Sequence, residues 1–138
     1  MKRLYAITAA VALVGVTAAV ASAAPSSSTI VIRHQLRGCH AWSVNGGTYK
    51  AAQSTTIGRR GTITIVDNDV MSHKLVQLSG PAVRFIGKPA MSHVGASVRV
   101  VFPKAGVYRF TTKAGEDYMK GVKTIGEDNV LKLRVKVS

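Results

Sequence analysis

The stretch Gly61–Leu78, GTITIVDNDVMSHKLVQL, constrains this chain more than any other. Ile63 and Ile65 fall on one side of an extended backbone and Thr62 and Thr64 on the other, which is the period of a half-buried β-strand. Asp67, Asn68 and Asp69 break the run, because short side chains that bond their own backbone favour a turn. His73 follows the turn and opens a second apolar segment, Leu75–Leu78. A histidine at the mouth of a strand can offer an imidazole nitrogen to a metal.

The same grammar runs through the chain. Thr29–Arg33 and His40–Val44 read as short strands, the second with His40 and Trp42 on one face. Asn45-Gly46-Gly47 and Gly58–Gly61 read as turns. Val98, Val100 and Phe102 alternate around Arg99; Pro103 to Gly106 then turn the chain into Val107–Thr111. The closing run sets Leu131, Leu133, Val135 and Val137 against Lys132, Arg134 and Lys136. Short strands between Gly, Pro, Asn and Asp turns predict an all-β sandwich, with no amphipathic helix.

Residues 1–23 read as a secretory signal peptide: Lys2 and Arg3 form a basic start, an alanine-rich apolar run follows, and Ala21-Ser22-Ala23 supplies the small-residue cleavage site. Gly15 and the loop-like AAPSSS after it argue against a membrane-spanning helix. Residues 24–138 are then the exported domain, periplasmic or extracellular, with no membrane span after cleavage. Its length suits one domain with a real core, read as a monomer. Losing Lys2 and Arg3 takes the formal charge from +13 to +11. The basic residues are spread along the sequence, with no stripe of basic and aromatic side chains, which argues against nucleic acid as a partner. An acidic protein, an anionic membrane face or a wall polymer suits the charge better.

Cys39 is the single cysteine, so no internal disulfide can form. An unpaired thiol in an oxidising compartment needs burial or a metal to protect it.

The frame Val66-Asp67-Asn68, with His73 five residues on and Leu75-Val76 beyond, resembles the first copper-ligand segment of the cupredoxins, the plastocyanin-like proteins. Gly106-Val107-Tyr108-Arg109-Phe110-Thr111-Thr112 resembles the family's segment before the last strand. Thr112 stands where the family carries its ligand cysteine and Gly115 where plastocyanins carry a second histidine, while Met119 falls within a residue of the axial methionine. The resemblance implies a Greek-key β-sandwich of cupredoxin type, with His73 as a ligand of one copper ion and Met119 as an approximate axial group. A blue copper centre joins a cysteine thiolate to two imidazoles and a weak axial group, and the Thr112 loop lacks the thiolate and the histidine.

Replacement ligands come from a short list. Cys39 and His40 are adjacent, and Met-Ser-His occurs twice, at Met71–His73 and Met91–His93. Residues two apart share a strand face, so each pair can present thioether and imidazole together. Such a set suits Cu(I), with Cu(II) tolerated where imidazoles dominate. The expected metal ligands are His73, Cys39, His40 and Met119, with Met91, His93 and Met71 as accessory groups. Cys39 and His40 face opposite ways if extended, so a bulge is needed for both to reach one ion. His34 reads as surface and Trp42 as core.

No nucleophile elbow, zinc-protease helix motif, phosphate loop or dinucleotide fingerprint is present, and the six carboxylates sit in turn-like pairs. The chain reads as a non-enzyme. Three functions fit: an exported copper protein that carries the metal or passes electrons to an acidic redox or copper-acceptor protein; a zinc-binding domain using Cys39, His40, His73 and His93; or a metal-free structural sandwich that binds an acidic partner.

Overall fold

Apolar side chains at every second position of the longer strands determine where the two sheets meet. The computed structural model describes residues 23–34, 40–114 and 130–138. Cys39, Met119 and all but the last residue of the expected signal segment lie outside them. Among the described residues the chain forms ten strands and no helix: β1 (Ser27–His34), β2 (His40–Val44), β3 (Ala52–Ile57), β4 (Thr62–Asp67), β5 (His73–Ser79), β6 (Arg84–Ile86), β7 (Ala90–Met91), β8 (Ser97–Val101), β9 (Gly106–Ala114) and β10 (Lys132–Val137).

One sheet runs β2-β1-β4-β8-β6 and the other β3-β10-β9-β5-β7. β1 pairs parallel with β4, and β10 pairs parallel with β3. Parallel neighbours cannot be joined by a hairpin; between β1 and β4 the chain visits β2 and then β3 in the opposite sheet. The result is the all-β, two-sheet sandwich that the alternation predicts.

Ile30 and Ile32 of β1, Ile63 and Ile65 of β4, and Val98 and Val100 of β8 project from one sheet into the core. Leu75, Tyr108, Phe110, Leu133, Val135 and Val137 meet them from the other. Phe102, fully buried, sets its ring edge-on to Tyr108 at 4.8 Å and to Phe110 at 6.1 Å. Trp42 is also fully buried and its indole donates to the Ala51 carbonyl at 3.1 Å, so its polar edge is satisfied. The Tyr108 hydroxyl likewise donates to the Lys104 carbonyl at 2.6 Å.

Two details differ from the sequence reading. Ala52–Ile57 is a strand although only Ile57 among its residues is buried, because β10 supplies a full ladder of partners. Met91 lies on a two-residue strand, β7, that the alternation does not predict, directly opposite His73. The sandwich has one end at which β1 and β4 finish and β2 and β5 begin, and the polar residues of interest collect there.

Candidate metal centre

The turn between β4 and β5 is built by its two aspartates. Asp67 Oδ1 accepts from the Asp69 amide at 3.0 Å, and Asp69 Oδ1 accepts from the Met71 amide at 3.0 Å. These successive side-chain turns are the local bonding that short carboxylates favour. They also turn the Asp69 side chain inward, where it is buried.

Its second oxygen is the hub of the site. Asp69 Oδ2 lies 2.8 Å from His40 Nδ1 and 3.2 Å from His73 Nε2. The two rings stand edge to face, 4.6 Å between centroids and 88° between planes. A carboxylate only accepts, so bonding both imidazoles places a proton on His40 Nδ1 and on His73 Nε2. His73 Nδ1 then accepts from the Thr112 hydroxyl, 3.3 Å away. His34 pairs with His40 across β1 and β2, with ring centroids 6.0 Å apart, and its side chain is exposed. One ligating atom each from His34, His40 and Asp69 lie within 4.8 Å of one another.

Burial sets the electrostatics. It pushes the Asp67 carboxyl up to about 6, with the Asp69 charge adding to the effect and the Asp69 amide opposing it. Asp67 Oδ2 is buried and has no hydrogen-bond partner among the described residues. Burial acts on Asp69 in the same sense, but the Met71 amide and the two imidazoles outweigh it and hold that carboxyl below its usual value. Burial also depresses His73, against the pull of Asp69. His73 is therefore a neutral imidazole at pH 7, the form that can bind a metal.

Of the expected ligands, His40 and His73 come together. Met91 is buried and opposite His73 in register, so its side chain lies on the same side of the sheet as that imidazole. Met71 contributes its amide to Asp69, and His93 is exposed in the turn after β7. Cys39 and Met119 fall outside the described residues. Thr112 stands against His73, its hydroxyl 3.3 Å from the ring. Asp69 and His34 were not among the expected ligands. Asp69 read as a turn residue, which it is, and no local signal marks the work of its second oxygen. His34 read as surface, which it also is; its approach to His40 comes from the pairing of β1 with β2.

No protein-family model matches the chain, and no curated protein matches it. Solved structures similar to it include a purple cupredoxin from Nitrosopumilus maritimus, 17% identical with a TM-score of 0.45 over 80% of this chain and 99% of that one. A variant of amicyanin in its reduced Cu(I) form is 16% identical, with a TM-score of 0.42 over 85% of this chain and 86% of that one. The cysteine protease inhibitor EhICP2 from Entamoeba histolytica is 10% identical, with a TM-score of 0.44 over 83% of this chain and 99% of that one. Cupredoxins are thus among the structures this chain resembles. None of these similarities assigns a residue role or an activity here.

Proposed function

We propose that the chain is an exported, non-enzymatic copper-binding protein that holds one ion at the end of the sandwich and hands it to a partner. The observation that carries this reading is the convergence of His40 and His73 on a single oxygen of Asp69, with His34 beside them. Two or three imidazoles with a carboxylate are a donor set that suits Cu(II), and thioether or thiolate adds affinity for Cu(I). Met91 is the described thioether placed opposite a ligand histidine, and Cys39 and Met119 complete the expected set. Copper bound here would supply a one-electron centre or a cargo; the exposed His34 favours cargo, since it gives a ligand on the solvent side.

The protein's own residues do the remaining work. Asp69 fixes the orientation and protonation of both imidazoles, and the burial of His73 keeps it neutral. Because the two ring nitrogens facing Asp69 carry protons, an ion taken up between these groups releases protons. Export rests on the Lys2–Ala23 leader pattern.

Copper titration of the mature protein against a competing chelator tests the reading. One ion per chain is expected, with affinity reduced on the order of tenfold or more by His73→Ala or His40→Ala. Unchanged affinity in both variants would exclude the site. The same carboxylate and imidazoles suit zinc, and zinc in protein purified without added metal would replace copper in the proposal. The Asp69 hydrogen bonds also close without any metal, so a protein that binds neither ion would be a structural sandwich with a polar plug.

A further inference from the structure

The outward side of the second sheet carries cations that pair with no carboxylate among the described residues. Lys74, Arg109, Lys113, Lys132, Arg134 and Lys136 are all exposed, because each occupies the outward position of its strand. Register sets Arg109 directly opposite Arg134 and Lys74 directly opposite Lys113. Like charges facing each other across a ladder destabilise a sheet. The two carboxylates among the described residues, Asp67 and Asp69, are both buried at the sandwich end, and no described ion pair involves a lysine or arginine. A sequence that keeps two repelling pairs on one face retains a cost to folding that binding an anion would relieve.

The same face is not uniformly polar. A groove of about 470 Å³, its walls mostly carbon, opens between β3, β10, β9 and β5. Leu78 and Val130 line it and are 59% and 61% exposed, and Arg109 of β9 with Lys132 and Arg134 of β10 line it between the outer strands. A mostly apolar groove with three cations on its two central strands has two requirements in an occupant: negative charge to meet the cations and a hydrophobic side chain to lie against Leu78 or Val130. A polyanionic polymer has nothing to place in the slot, and a lipid surface meets protruding groups, not a concavity.

We propose that the outer face of the second sheet is a docking surface for an acidic protein segment carrying one apolar anchor side chain. The surface is separate from the histidine–aspartate cluster, and the proposal stands whether or not that cluster binds metal. Charge steers the encounter and the anchor supplies the residence time.

The mature protein, titrated with a labelled peptide of Glu and Asp around a single Phe, tests it. Fluorescence anisotropy should report binding at low salt that disappears at about 0.5 M salt. Replacing the peptide's Phe with Gly, or Leu78→Ser in the protein, should each weaken binding roughly tenfold. Arg109→Gln with Arg134→Gln should weaken it at least as much while raising the melting temperature, which separates lost binding from lost folding. Polyglutamate or phosphatidylglycerol vesicles that bind as tightly as the Phe peptide would overturn the proposal in favour of a polymer or a membrane. So would a double variant that binds as well as the parent protein.

Discussion

Asp67 and Asp69 lie two residues apart, both buried, yet their carboxyls are driven in opposite directions. The difference is hydrogen bonding: Asp69 accepts three donors on its two oxygens, whereas Asp67 leaves Oδ2 without a described partner. Asp67 holds its proton up to about pH 6 in the fold but only to about 3.8 when unfolded. Its contribution to stability is therefore present below pH 4 and is lost as pH rises toward 6. His73 runs the other way: its folded value lies below 6.5, so the stability it confers above that pH is lost on acidification. In metal-free protein, Asp67→Asn should raise stability at pH 7 by on the order of 2 kcal/mol and remove the falling limb between pH 4 and 6. Denaturant melts across that range check it; an unaltered profile would mean that Asp67 is ionised in the fold. Asp69→Asn should act oppositely, costing about 1–3 kcal/mol, because an amide has one acceptor oxygen and cannot serve both imidazoles on one side and the Met71 amide on the other.

At the scale of elements, the strands that were legible are those with apolar residues at every second position. β1, β2, β4, β5, β8, β9 and β10 follow from such runs, and the β4–β5 turn follows from Asp67 to Asp69. β3 is Ala-Gln-Ser-Thr-Thr-Ile, whose alternation carries almost no hydropathy contrast, and β6 and β7 are too short to show a period. The omission of β7 matters most, because it brings Met91 opposite His73. Half of the site was readable for a similar reason: His73 sits in a recognisable strand frame, whereas the meeting of His40 with Asp69 joins residues 29 apart through sheet pairing. Met91→Ala should weaken Cu(I) binding much more than Cu(II) binding, since thioether is the softer donor; equal losses would remove Met91 from the site. Thr112 offers a gain-of-function test. The Cu(II) form of the parent protein should lack a strong visible thiolate band, unless Cys39 supplies one. Thr112→Cys should create such a band, and a spectrum identical to the parent's would show that Thr112 does not border the metal.

At the scale of the whole molecule, six basic residues that look dispersed in sequence share the outer face of the second sheet, because Lys132, Arg134 and Lys136 alternate on β10 and register brings Arg109 to Arg134 and Lys74 to Lys113. Within the core, Phe102 sets its ring against both Tyr108 and Phe110. Phe102→Ala should cost about 3–5 kcal/mol, read by denaturant unfolding, since the two rings cannot close over the space it leaves. The position of β10 has a temporal consequence. The last strand of the chain lies inside the second sheet, between β3 and β9, and its partner β3 begins at Ala52. During synthesis that sheet can hold only separate fragments until Lys132–Val137 emerge, and joining partners so distant in sequence is slow. The second sheet is therefore the last part of the sandwich to close, a delay that fits the export proposed above.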